Sequence, residues 1–371
     1  MQMKKLIALT VAMLPLTALA DVTIYGNIEA DVESGKSLMN ADQGHGSQTR
    51  VDDTGSYIGF KGDEELGNGL KALWQVESYL SVDGSDINGN GSWATRDSFV
   101  GLQSQFGTVR VGKLSDYMNS DMEAMDPWLY GQGVNGLGTM TRFDGRYNNA
   151  VRYDMPTLYG FDFSAIYSVG ENEQPDGSHQ GNGRNHGDAW GVGMGYQNSG
   201  FFGKLGYMQF QDQGANGQDG NYWRLEGGYH ANNLLVSAAY QESKQYGSDA
   251  TLGSSNIWGR SSNDLNGSVT GVGSFGNSDK IETREAALTV GYTFGAITPR
   301  VTYAWGDDAK VNGSTQNNSG YNQYIVGVDY ALSKRTTAYA SYGYTKYGSD
   351  QYTNGSDDSE HTVAVGLQHR F

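Results

Sequence analysis

The sequence predicts an all-β protein, a transmembrane antiparallel β-barrel of sixteen strands, and three observations predict it. Hydrophobic residues make up only 37% of the chain, which nonetheless carries 25 Tyr, 12 Phe, 7 Trp and 54 Gly. From Asp21 onward, runs of roughly ten alternating residues are each followed by a turn. The connections between runs alternate between short and long. Few aliphatics with many aromatics and glycines make a poor packed interior, but suit a sheet with lipid on one face and water on the other. Aromatic tracts this dense argue against disorder, the other route to an acidic, glycine-rich chain.

Residues 1–20 read as a removable export segment. Lys4 and Lys5 supply a basic start, Leu6 to Leu16 an apolar stretch, and Ala18-Leu19-Ala20 a small-x-small cleavage site, so the mature chain is expected to begin at Asp21. The apolar stretch is too short to cross a bilayer as a helix, and no later stretch approaches that length. Residues 21–371 are therefore expected to form one barrel domain. The absence of Cys excludes disulfides, thiolate metal sites and a cysteine lipid anchor. The formal charge of −16, or −18 once Lys4 and Lys5 are removed, disfavours nonspecific nucleic-acid binding.

The first strand sets the pattern: Val22, Ile24, Gly26, Ile28, Ala30 and Val32 share one face, and Thr23, Tyr25, Asn27, Glu29, Asp31 and Glu33 the other. The strands are expected at 22–33, 55–62, 69–80, 92–103, 108–114, 147–154, 160–169 and 188–197, then at 201–211, 221–230, 234–242, 282–294, 297–306, 322–331, 335–344 and 360–371. Short connections include Leu66-Gly67-Asn68-Gly69, Gln105-Phe106-Gly107, Asn198-Ser199-Gly200 and Ala231-Asn232-Asn233. Long polar ones fall near 34–54, 81–91, 115–146, 170–187, 212–220, 243–281, 307–321 and 345–359. Short turns at one end and long loops at the other is a layout that a soluble Greek-key sandwich has no reason to keep. Aromatics bound the apolar faces, as in Trp190/Val192/Met194/Tyr196 and Tyr324/Val326/Val328/Tyr330, where they suit two girdles at headgroup level.

Several motifs together carry a family resemblance. They are Asp21-Val22-Thr23-Ile24-Tyr25-Gly26, Ile58-Gly59-Phe60-Lys61-Gly62, Glu65-Leu66-Gly67-Asn68-Gly69-Leu70-Lys71-Ala72 and Trp74-Gln75-Val76-Glu77. Ser98-Phe99-Val100-Gly101-Leu102, Phe106-Gly107 with Arg110-Val111-Gly112, and Arg146-Tyr147-Asn148-Asn149-Ala150-Val151-Arg152-Tyr153 continue the series. In order and spacing the chain resembles the Gram-negative general porins, neisserial type. The terminal strand, with Val363, Val365, Leu367 and Phe371 on one face, resembles the signature read by the outer-membrane assembly machinery. The resemblance implies an outer-membrane homotrimer among lipid and lipopolysaccharide, a third loop folded into each pore, and passive diffusion of ions and small hydrophilic solutes with no cofactor.

The third long connection fits that role on its own composition, with Asp116, Asp121, Glu123 and Asp126 early in it. Opposed carboxylates and guanidiniums across a narrow aqueous gap set up a transverse field that selects ions. Strand parity puts Lys61, Lys71, Arg96, Arg110, Arg146 and Arg152 on the water-facing side. Arg96 and Arg146 also match the family's basic ladder, and Lys61, Arg110 and Arg152 support them. Asn27 and Tyr57 stand where relatives typically carry a cation, and Glu29 and Asp31 push the same way, so a weakly cation-leaning pore is expected.

Other signals weigh less. Asp86-Ile87-Asn88-Gly89-Asn90-Gly91 with Asp97 resembles a calcium loop, but flanking helices are missing and Asp stands for the bidentate Glu. A Gly/Asn-rich hairpin loop explains it more cheaply, and in relatives this loop tends to latch a neighbouring subunit. His179 and His186 lack convincing partners for zinc, so no metal is expected. No nucleophile elbow or H-E-x-x-H motif is present, so no enzyme is expected. Two alternatives stay open: a saccharide-type channel using the aromatics, and a surface receptor or adhesin using the loops near 243–281 and 307–321.

Overall fold

The computed structural model describes residues 22–36, 48–84, 93–122, 124–128, 133–170, 188–212, 217–246, 279–348 and 359–371. The export segment, Asp86 to Gly91, Glu123, His179 and His186, and most of the 243–281 connection lie outside the described residues.

Alternating strands hydrogen-bond edge to edge, and in lipid every edge must find a partner. The strands are β1 (Thr23–Lys36), β2 (Gln48–Asp53), β3 (Tyr57–Gly67), β4 (Leu70–Tyr79), β5 (Ser98–Ser104), β6 (Gly107–Ser115), β7 (Arg146–Asp154), β8 (Phe161–Ser168), β9 (Ala189–Asn198) and β10 (Phe201–Phe210). They continue as β11 (Gly220–Ala231), β12 (Leu234–Tyr246), β13 (Lys280–Tyr292), β14 (Ile297–Gly306), β15 (Lys310–Val311), β16 (Ser314–Thr315), β17 (Tyr321–Ala331), β18 (Thr336–Tyr347) and β19 (Ser359–Arg370). Each pairs antiparallel with its neighbours, and β1 closes the ring on β19 through a register running from Asn27↔Arg370 to Lys36↔His361. β2 and β3 share one edge of β1 and act as one stave, while β15 and β16 form a small hairpin inside a connection. Sixteen staves therefore close the barrel.

The turns at one end are as tight as the sequence suggests. Ser199-Gly200 and Asn232-Asn233 both have φ between 52° and 86°, the left-handed pair that matches the twist of a two-residue hairpin.

Several strands run past their expected ends, among them β3 to Gly67, β12 to Tyr246 and β18 to Tyr347, and at three places the structure shows why expectation and fold differ. The strand expected from residue 92 begins at Ser98, because Ala94 has a φ of 63° and side chains occupy ladder positions beside β4. There Thr95 Oγ1 accepts from Tyr79 N at 2.9 Å and Ser98 Oγ from Glu77 N at 3.1 Å. The connection expected at 34–54 is partly strand, since β1 runs on to Lys36 and pairs with β2. The break between β2 and β3 is held by Asp53 Oδ1, which accepts from Gly55 N and Ser56 N at 2.9 Å. The connection expected at 307–321 contains β15 and β16, turned at Asn312-Gly313.

The usual inside-out order of a soluble protein is inverted. One face carries exposed Leu225, Leu288, Val290, Val301, Val326, Val363 and Val365, and the other buries Arg224, Glu226, Gln241, Thr283, Glu285, Thr289, Thr302 and Gln323. Aromatics ring the outward face at two heights. Phe161–Tyr196, Phe201–Tyr229 and Tyr292–Phe294 pair near the short turns at 4.5 to 4.9 Å between centroids. Trp190–Tyr207, Trp223–Tyr240 and Tyr303–Tyr324 pair near the loop end at 5.0 to 5.5 Å. Two girdles with an aliphatic band between them are what a bilayer demands of a barrel.

Candidate functional site

The connection from β6 to β7 packs against the inward face of the barrel. It opens with a short helix, α1 (Tyr117–Asp121), capped by Asp116, whose Oδ1 accepts from Asn119 N at 2.7 Å. Asp116 Oδ2 also accepts from Gly145 N at 3.2 Å and Tyr222 OH at 2.9 Å, so one carboxylate ties both ends of the loop to β11. Burial, with the Asp144 carboxylate beside it, holds Asp116 above the usual carboxylate range. Tyr117 lies over Gly193 of β9, where an added Cβ would sit 1.9 Å from its ring.

Beyond α1, Met125, Trp128, Leu137 and Met140 are fully buried against Ala239, Ala287, Ala304, Tyr321 and Ile325. Small alanines on β12, β13 and β14 let the loop approach the wall, and Trp128 Nε1 donates to Thr302 Oγ1 at 2.7 Å. A single 3-10 turn (Gly133–Asn135) rests on β18, and Gln323 Nε2 donates to Val134 O at 3.1 Å and Gly136 O at 2.8 Å.

Arginines fasten the remainder. Arg142, from the loop, reaches both oxygens of fully buried Glu285 at 2.6 Å. Arg224, from β11, is 0% exposed and reaches both oxygens of Asp144 at 2.7 and 2.8 Å, with Gln241 Oε1 and Met140 O as further acceptors. Arg300 donates to Pro127 O and pairs with Asp329.

A cavity of about 610 Å³ is left between this loop and the wall of β1, β3, β4 and β19. Loop residues Met118, Met122 and Asp126 line one side, and Tyr57, Tyr79, Arg96, Arg146 and Arg370 the other. The Arg96 guanidinium lies 4.4 Å from the Tyr57 ring centroid and 4.7 Å from that of Tyr79, and its Nε pairs with Glu77. Arg146 donates to Tyr79 OH at 3.2 Å and has Asp97 Oδ1 at 3.4 Å. Asp97 also accepts from Ser115 Oγ at 2.8 and 3.0 Å, so it is engaged within the barrel.

Of the residues singled out from the sequence, Arg96, Arg146 and Asp126 meet at this cavity, together with Asn27, Glu29 and Tyr57. Arg152 is 3% exposed beneath the loop, donating to Ser115 O at 2.7 Å, Ser120 Oγ at 2.7 Å and Asp121 Oδ2 at 2.8 Å. Asp121 is thus its ion-pair partner, and Asp116 faces the wall. Arg110 pairs with Asp154 at 2.5 Å and stacks on Phe99, away from the cavity. Lys61 is exposed, 4.8 Å from the Tyr25 ring centroid, and Lys71 pairs with Asp63 and Glu65. Arg370 is the cavity cation the sequence reading missed. Val363, Val365 and Leu367 face lipid, so the same parity turns Gln368 and Arg370 inward beside Glu29 and Asn27.

Comparison with known proteins agrees with this architecture. The Gram-negative porin family matches residues 7–351. The major outer membrane protein P.IB of Neisseria sicca is 37% identical over 394 residues, covering 99% of each chain. That of Neisseria gonorrhoeae is 36% identical over 396 residues, again 99% of each. Among solved structures, an anion-selective porin from Comamonas acidovorans superposes with a TM-score of 0.72 at 22% identity, covering 95% of this chain and all of that one. OmpT of Vibrio cholerae in its trimer form gives 0.63 at 15% identity, covering 95% and 99%. Matched along nearly its whole length, and built as the same closed barrel, this chain belongs to the Gram-negative porins, channel proteins of the outer membrane.

Proposed function

We propose that the chain is a general diffusion channel for ions and small hydrophilic solutes, with its selectivity set where the β6–β7 loop faces Arg96, Arg146 and Arg370. The observation that carries this is the polar cavity of about 610 Å³ left open beside a loop that is otherwise packed to the wall. Solutes pass down their gradients, and the protein holds the aperture without catalysis.

The charge balance supports a weak cation preference. Arg96 and Arg146 have carboxylate partners in Glu77 and Asp97, and Asp144 has Arg224. Arg370 has no ion pair among the described residues; Glu29 stands beside it on β1, and Asp126 lines the cavity from the loop side. One unpaired cation against two carboxylates leans toward cations, unlike the anion selectivity in the printed name of the Comamonas acidovorans porin. Arg96→Ala with Arg146→Ala strips the counter-charges from Glu77 and Asp97 and removes two long side chains. Single-channel conductance is expected to rise, and the reversal potential in a salt gradient to move toward the cation. An unchanged reversal potential would take both arginines out of the selectivity step.

Asp126 makes that preference pH-dependent. Burial pushes its carboxyl up to about 6, partly opposed by the N–H groups of Trp128 and Leu137. Above that value it is an anion at the lumen, and below it a neutral acid. Cation preference is therefore expected to fall as pH drops through about 6. In Asp126→Asn that step is expected to disappear, and its persistence would assign it to another group.

We also propose a homotrimer seated among lipid and lipopolysaccharide, with β19, β1 and β3 to β6 at the subunit contact. Their outward positions are mostly Ile, Val, Leu and Ala, with Phe60, Trp74 and the terminal Phe371 as their aromatics and Phe106 in the β5–β6 turn, whereas β8 to β17 carry the ring-on-ring girdle pairs. A girdle thinned over these staves suits a protein neighbour better than headgroups.

A further inference from the structure

We propose that Tyr57 is a specificity-determining residue of the channel: with Tyr79 it cradles the Arg96 guanidinium and keeps that charge presented to the lumen. The proposal rests on the reading that selectivity is set at this cavity, and it names the residue that holds one of the selecting charges in place.

The need for a cradle follows from the backbone. A cation that acts on passing ions must stay in one place, and a strand position supplies that better than a loop position does. Arg96 has no strand beneath it. It precedes β5, which begins at Ser98, and follows Ala94, whose φ of 63° takes the chain off the extended path. One backbone bond ties it to the wall, Arg96 N donating to Glu77 O at 3.0 Å. From there a long side chain with several free torsions reaches the cavity, so its position depends on what its own atoms touch.

Tyr57 and Tyr79 supply those contacts. They stand directly opposite each other on β3 and β4, and both line the cavity. The guanidinium lies over both rings, 4.4 Å from the Tyr57 centroid and 4.7 Å from that of Tyr79. A planar cation over an aromatic face is held electrostatically without using any of its N–H groups. Only Nε is engaged, with Glu77 Oε1, while Tyr25 OH donates to Glu77 Oε2 at 2.9 Å. The two terminal nitrogens have no hydrogen-bond partner among the described residues, and the side chain is 18% exposed. The rings thus keep the guanidinium from the two-pronged pairing with a carboxylate that it otherwise prefers, which would cancel its charge at the lumen. Tyr79 is the less selective handle, because its OH accepts from Arg146 Nη1 at 3.2 Å and a change there moves two cations. Tyr57 has Arg96 as its one cation contact among the described residues, and its ring neighbour is Tyr25, edge-on at 6.4 Å.

The test is the reversal potential of the full-length barrel in a planar bilayer, under a gradient of potassium chloride. Tyr57→Leu is expected to move it toward the cation, in the direction of Arg96→Ala but by less. Losing one ring contact weakens the presented orientation of the guanidinium by about twofold to fivefold, and the charge then folds onto Glu77. Tyr57→Phe keeps the ring and is expected to recover the wild-type value. In an Arg96→Ala background Tyr57→Leu is expected to add no further shift, because the ring acts through Arg96. Tyr57→Val, whose branched side chain suits a strand, repeats the measurement if Tyr57→Leu does not run as a heat-modifiable barrel. A shift in Tyr57→Phe equal to that in Tyr57→Leu would overturn the proposal, since the ring is retained. So would a full Tyr57→Leu shift in the Arg96→Ala background, by assigning the effect to the width of the aperture. An unshifted Tyr57→Leu beside a shifted Arg96→Ala would overturn the cradle and leave the selectivity reading standing. An unshifted Arg96→Ala would overturn both.

Discussion

Arg224→Ala is expected to release the returning end of the constriction loop and to raise single-channel conductance while leaving the barrel closed. The guanidinium is 0% exposed and donates to Asp144, Gln241 Oε1 and Met140 O, with Gln241 Nε2 as a second donor to Met140 O. Its loss leaves the Asp144 carboxylate buried without its cation, with Asp116 close enough that the two carboxyls repel. Breaking a buried pair by removing one partner costs about 3–5 kcal/mol, because the remaining charge keeps its desolvation penalty. That cost is about two to three and a half decades in the docking equilibrium of the loop. The ladder of β11 with β10 and β12 does not pass through this side chain, so closure persists. The expected record is larger and noisier current steps from a protein that still runs as a folded, heat-modifiable barrel. Arg224→Lys restores the charge without the two-pronged geometry and should fall between. Wild-type steps in Arg224→Ala would mean that the apolar contacts of Trp128, Leu137 and Met140 hold the loop alone.

How much of this was legible in the sequence follows from what parity can tell. Alternation assigns a side chain to one of two faces, and it put Arg96, Arg146 and Arg152 together on the inner one. It cannot tell a side chain open to the lumen from one covered by a loop, which is why Arg152, 3% exposed beneath α1, looked the same as Arg96. Arg370 was within reach of the same rule, but the last strand draws attention to its apolar face. The loop's fastenings were not legible at all. Arg142 meets Glu285 across 143 positions and Arg224 meets Asp144 across 80, and no local pattern marks such pairs. The alanines at 239, 287 and 304 read as indifferent inward residues until Met125, Trp128 and Met140 are seen to need the room. The acidic run read from the sequence ends at Asp126, one residue short of where the loop turns from lumen to wall.

Gly343→Val tests the same loop from its other support and should move the current in the opposite direction. Gly343 faces inward on β18, where an added Cβ would sit 2.1 Å from Val134 O and 2.5 Å from Val134 C. Both are backbone atoms, so no rotamer change relieves the overlap, and the 3-10 turn at Gly133–Asn135 must move. Its carbonyls are held from β17 by Gln323, and β18 stands behind it, so the free direction is the lumen. Overpacking of this kind costs about 1–3 kcal/mol, less than the loss of Arg224, and its effect is displacement more than release. Conductance is therefore expected to fall, with the step kept uniform because the Asp144–Arg224 and Glu285–Arg142 fastenings remain. Gly343→Ala should show the same sign in smaller measure, since its methyl meets the same carbonyl. A rise in conductance would mean that the turn peels away from the wall when crowded, making the loop's position depend on that one close approach and not on the arginines.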